Sequence, residues 1–93
     1  MAEIIWSDLA VEDLRSIYDF IAVDSVFYAS RQVERLIART EQLQAFPASG
    51  RIVPEFDNPD LRELIEGNYR IIYKSGPDVV YIVRVHHASR LIR

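Results

Sequence analysis

Cysteine is missing from this chain of 93 residues. Disulfides and thiolate metal sites are therefore excluded, and the absence suits a reducing compartment. Lysine occurs once, at Lys74, among eleven basic residues. The three glycines, Gly50, Gly67 and Gly76, stand too far apart to form a phosphate-cradling loop and read as isolated turn residues. No apolar run approaches the ~20 residues that a membrane span needs. The opening Met1-Ala2-Glu3-Ile4-Ile5-Trp6 has no basic stretch of the kind that begins a secretory signal. The expectation is a cytoplasmic protein with no membrane contact. Adjacent residues of a strand point to opposite faces, so the paired histidines His86 and His87 cannot chelate together, and no carboxylate lies at ligand spacing. No metal and no cofactor are expected, and none of the serines sits in a nucleophile signature.

What is present is an ordinary globular composition, 49% hydrophobic and 27% charged, in a length that allows one domain spanning residues 1–93. The net charge of −3 is unevenly spread. Residues 1–46 hold eight acids against four arginines; from Leu64 onward two acids face five bases. An acidic front and a basic back point to a C-terminal half that meets something anionic, with a merely uneven solvated surface as the plain alternative.

The residue pattern changes period once. Glu3-Ile4-Ile5-Trp6 is β-prone and ends at Ser7, a good helix N-cap with Asp8 and Glu12 placed where the helix dipole favours acid. Ala10, Leu14, Ile17, Tyr18 and Ile21 then recur at helical spacing. Asp24-Ser25 breaks this helix and caps a second, whose stripe is Ala29, Val33, Leu36, Ile37, Thr40 and Leu43, with Arg31, Arg35 and Arg39 on a solvated ridge. Two amphipathic helices with so short a break form an αα-hairpin. Phe46-Pro47-Ala48-Ser49-Gly50 ends it, and Pro54 and Pro59 keep the next stretch irregular. Leu61–Ile65, Tyr69–Ser75 and Val79–Val85 are short, rich in β-branched and aromatic residues, and separated by turn residues. The order β-α-α-β-β-β predicts an α+β fold: a three-stranded antiparallel meander with the N-terminal strand added at an edge, and the helices on one face of the twisted sheet.

Strand parity predicts which side chains share a face. With a loop at Ser75–Asp78, Arg70 lies opposite Val83, and Arg70, Ile72 and Lys74 share a face with Tyr81, Val83, Val85 and His87. A three-residue loop at Glu66–Asn68 places Arg62 on that face opposite Ile72. Tyr69, Ile71, Tyr73, Val80 and Ile82 then line the helix-facing side, with Arg84 and His86 near its rim. A slip in the second hairpin instead puts His86 beside Arg70, and a shorter first turn puts Glu63 opposite Arg70 as a cross-strand ion pair. A histidine near an arginine can move protons while the arginine steadies a phosphate. His86 or His87, Arg70, Arg90 and Glu55 are the candidates for such chemistry; the plain reading is a cross-strand ion pair at Arg70 and histidines at a strand end.

Several segments together resemble the RelE/ParE superfamily of type II toxins. They are Trp6-Ser7 with Ala10, Asp13-Leu14 and Ile17; Phe46-Pro47 with Gly50-Arg51; Arg62-Glu63-Leu64; Gly67-x-Tyr69-Arg70-Ile71-x-Tyr73; and Ile82-x-Arg84-Val85-His86-His87 with Arg90. The resemblance implies a toxin encoded beside a small antitoxin that wraps and neutralises it, in a hetero-oligomer of 2:2 or higher. The antitoxin alone would touch operator DNA. The Arg-Glu-Leu, Tyr-Arg and Val-His-His-x-x-Arg elements look closer to the ParE and plasmid-stabilisation branch, whose members poison DNA gyrase, than to the RelE branch, whose members cleave mRNA in the ribosome. Binding a ribosomal site leans on many phosphate contacts, whereas this chain has a pI of about 5.3 and lacks a lysine cluster. On the ParE reading Arg70, Arg84, His86 and Arg90 contribute to binding target and antitoxin. On the ribonuclease reading Arg70 stabilises the phosphate, His87 or His86 moves the proton and Glu55 is the base. A third reading is an inactive antitoxin-binding module.

Overall fold

The computed structural model describes residues 1–89. Strand β1 (Glu3–Trp6) leads into helix α1 (Asp8–Ala22) and helix α2 (Val26–Arg39), which tightens into a 3₁₀ turn over Thr40–Gln44. Strands β2 (Arg51–Ile52), β3 (Leu61–Glu66), β4 (Tyr69–Ser75) and β5 (Val79–His87) follow. The sheet order is β1-β5-β4-β3-β2, with β1 parallel to β5 and every other pair antiparallel. This is the α+β arrangement expected, with β1 at an edge. The two-residue strand β2 was not expected; the prolines that follow it hide it.

Both helices start where the serines predict. The Ser7 and Ser25 hydroxyls accept the amides of Ala10 and Tyr28, satisfying donors that a helix start leaves without partners. Ser7 also donates its hydroxyl to the carbonyl of Val83 at 2.9 Å, tying the start of α1 to β5. The core lies between hairpin and sheet, where Ala10, Leu36 and Leu43 meet Leu64, Ile71, Tyr73, Val80, Ile82 and Val85. Ile37 departs from its predicted stripe and is 43% exposed. Around the turn of the hairpin Phe20, Val23, Val26 and Phe27 also face solvent.

The register corrects the parity expectations in two places. The β3–β4 turn is the pair Gly67-Asn68, with Gly67 at φ 57°, a conformation that glycine alone adopts at little cost. Arg62 consequently lies opposite Tyr73 rather than Ile72, and Glu63 takes the place opposite Ile72. In the second hairpin Lys74 pairs with Tyr81, two residues further along than expected, which leaves parity unchanged. A bulge then inserts Val83, since Ile72 pairs with Arg84 while Tyr73 pairs with Ile82. One extra residue reverses the facing of everything beyond it. Arg70 lies opposite His86, not Val83, and His87 lies opposite Tyr69.

Candidate functional site

Arg70 is 5% exposed on the sheet face turned away from the helices. Its terminal nitrogens bind both oxygens of Glu55, at 2.7 and 2.8 Å. Its Nε donates to Oε1 of Glu63 at 2.7 Å. Glu63 is 1% exposed and sits diagonally across the strand pair from Arg70, within reach of a long side chain. Its second oxygen accepts from Nε of Arg51, the residue opposite it on β2. Among the described residues two arginines and two glutamates thus form one connected cluster. The bonds that Arg70 donates to Glu55, with a smaller contribution from Glu63, raise its pKa above the ordinary value against burial, which lowers it.

Local chain geometry builds this cluster. Gly50 passes so close to β3 that an added Cβ would stand 2.6 Å from the Glu63 carbonyl oxygen and 2.7 Å from the Tyr73 hydroxyl. That hydroxyl, buried, accepts the Gly50 amide at 2.9 Å, and burial holds the Tyr73 pKa above its usual range. The close approach fixes Arg51 opposite Glu63. Beyond β2 the amides of Phe56 and Asp57 both donate to the Val53 carbonyl, and Asp57 takes φ 47°, a left-handed conformation that aspartate tolerates better than most residues. The turn so made delivers Glu55 to Arg70. Arg51, Pro54, Glu55, Ile65, Arg70 and Ala88 line an open cleft of about 400 Å³.

A second charged site lies where β5 runs on past the end of β1. Nε and one terminal nitrogen of Arg84 donate to the two carboxylate oxygens of Asp13, at 2.8 and 3.0 Å, and the Val85 amide donates to the same carboxylate at 2.9 Å. Burial alone would raise the Asp13 pKa, but the bonds from Arg84 and Val85, with the nearby charge of His86, bring it below the ordinary value.

Of the residues predicted for function, the fold brings Glu55 and Arg70 into direct contact and sets His86 across from Arg70. His87 falls on the opposite side, its ring edge-on to Tyr69 at 5.7 Å between centroids and its Nδ1 2.8 Å from the Ser89 hydroxyl. Arg84 pairs with Asp13 instead of joining the cluster. Arg90 lies outside the described residues. Glu63, Arg51 and Asp13 were not singled out as site residues from sequence, although a Glu63–Arg70 ion pair was one register alternative. No group of residues able to hold a metal ion occurs among the described residues.

A helical hairpin laid on a mixed sheet, with an arginine–glutamate cluster on its outer face, is the α+β arrangement that the resemblance of the sequence motifs implied, and comparison with known proteins agrees. The model of the ParE toxin of the type II toxin–antitoxin system, parDE, matches residues 4–92. Toxin RelE2 of Caulobacter vibrioides is 36% identical over 92 residues, spanning 98% of this chain and 100% of its own length. A solved chain described as the chromosomal ParDE TA system from P. aeruginosa superposes with a TM-score of 0.76 at 21% identity, over 94% of this chain and 96% of that one; at that identity the likeness concerns the fold. The chain belongs to the ParE toxin family of type II toxin–antitoxin systems.

Proposed function

We propose that this toxin acts by binding and poisoning DNA gyrase, and that a cognate antitoxin holds it inactive in a cytoplasmic hetero-oligomer. The observation that carries this reading is the closure of Arg70 between Glu55 and Glu63. A guanidinium that steadies a scissile phosphate must be able to reach it, and a carboxylate that abstracts a proton must have an oxygen to offer. Here both oxygens of Glu55 accept from Arg70, and both oxygens of Glu63 accept from arginines. The apolar residues around the hairpin turn, Phe20, Val23, Val26 and Phe27, suit a surface that a protein partner covers.

The purified chain should inhibit gyrase supercoiling and trap cleaved DNA. Cleavage of mRNA on ribosomes with gyrase unaffected would overturn the proposal. The ribonuclease reading draws on one observation, the placing of Glu55, Arg70 and His86 on one side of the sheet. Under it His86→Ala, rather than His87→Ala, abolishes ribosome-dependent cleavage. Expression without the antitoxin should arrest growth; normal growth would favour the inactive module.

A further inference from the structure

We infer that the cleft beside Arg51 is a carboxylate-binding site that receives an acidic side chain of the antitoxin, with a neighbouring apolar side chain of the same segment resting on Ile65 and Pro54. This rests on the reading that an antitoxin binds the chain, and it says where one contact falls and with what chemistry.

Arg51 differs from the other arginine of the cluster in what it has left to offer. Only its Nε is engaged, by the buried Glu63, while its two terminal nitrogens make no hydrogen bond among the described residues. Its side chain is 61% exposed. An arginine in that state ordinarily sweeps a wide volume, and a partner that captures it must oppose that freedom. Here the Gly50 contact fixes the backbone and Glu63 fixes the near side of the guanidinium. The guanidinium, which lines the cleft, is thereby held at its Nε before any partner arrives. A fork of two parallel N–H donors matches a carboxylate in two-point contact.

The surroundings select the source of that carboxylate. Ile65 is 40% exposed, and with Pro54 and Ala88 it gives the cleft apolar walls. Glu55 and Glu63 balance the charges of Arg51 and Arg70. A nucleic acid strand calls for accumulated positive charge, whereas the charges of the described residues around this cleft balance and the whole chain carries −3. An acidic residue with an apolar neighbour, as in an amphipathic peptide, meets both the fork and the walls.

The test uses the purified toxin–antitoxin complex. Arg51→Lys keeps a cation for Glu63 but removes the fork, so its thermal unfolding should match that of the wild-type toxin. Its affinity for the antitoxin should fall about tenfold, chiefly through faster dissociation. A photo-crosslinking residue placed at Ile65, p-benzoyl-phenylalanine, should join to an antitoxin peptide that carries Asp or Glu within a few positions. Replacing that acid with its amide should weaken wild-type binding more than it weakens binding of Arg51→Lys, since the fork's share of the interaction is already gone from the variant. Unchanged affinity in Arg51→Lys, or a crosslink to a segment without acids or to nucleic acid, would overturn the site while leaving antitoxin binding intact. A wild-type toxin that does not bind its antitoxin would overturn both readings.

Discussion

Arg70 and Arg84 each bind a carboxylate through two nitrogens, but in contrasting surroundings. The side chain of Arg70 is 6% exposed and its partners Glu55 and Glu63 are 18% and 0% exposed. Those of Arg84 and Asp13 are 36% and 16% exposed. In the first site each charge has lost most of its water and depends on the others; in the second, water remains available to Arg84 if its partner leaves. The energetic reach of the two pairs should differ accordingly, because removing one member of a buried pair strands a desolvated charge, whereas half-exposed pairs are screened and contribute modestly. The contrast extends to role. The buried cluster fixes the turn that carries Glu55 and orients Arg51, while Asp13 closes the edge of β5 by taking the Val85 amide, a group that an uncovered edge would offer to another chain.

The largest expected effect breaks the buried side of this comparison. Glu63→Ala takes a buried carboxylate from both Arg70 and Arg51, and should cost about 3–5 kcal/mol in urea unfolding. A loss comparable to that of an exposed pair would show that water reaches the cluster. Next comes Gly50→Ala, whose new methyl must displace β3 backbone or the Tyr73 ring. It should cost about 1–3 kcal/mol by the same measurement. Tyr73→Phe separates the two contributions at this contact: it removes the acceptor of the Gly50 amide without adding bulk, and should cost about 1–2 kcal/mol.

Asp13→Asn probes the exposed side and should cost about 1 kcal/mol at neutral pH. Its pH dependence has a definite sign. Because the folded protein lowers the Asp13 pKa from its ordinary 3.8, the unfolded chain takes up the proton first as pH falls. The stabilisation is therefore complete above that value and lost as pH drops through the lower, folded pKa. Stability curves of wild type and Asp13→Asn should converge in that acid range, and salt should narrow their gap at neutral pH while leaving the cost of Glu63→Ala nearly unchanged. Smallest of all is Glu12→Ala. Its contact with Arg15 is 4.0 Å long, with both side chains more than 60% exposed, and thermal unfolding should not register its loss.

The fold was legible in the sequence where signals are local. Ser7 and Ser25 mark helix starts through bonds that span three residues, and the change from helical to alternating spacing after Pro47 marks the passage from hairpin to sheet. The family was legible for the same reason: its motifs are short and follow one another in a fixed order along the chain. Arg70 and Glu55 were legible as candidates by residue type, and the structure puts their side chains in contact.

The facing of the histidines was not legible, because it depends on the bulge at Val83. Val83 is anchored by the Ser7 hydroxyl from 76 positions away, and no window along the chain contains both residues. The Arg84–Asp13 pair, 71 positions apart, was hidden in the same way. The sequence by itself determined every strand and helix but β2, their order, the helix caps and the family, since each rests on spacings of a few residues. Only the tertiary structure decided that Glu63 holds two arginines, that His86 rather than His87 stands across from Arg70, and that Arg51 bonds Glu63 while its side chain stays largely exposed. A slip of one residue in strand register reverses which side chains meet, and register is set by contacts between distant segments.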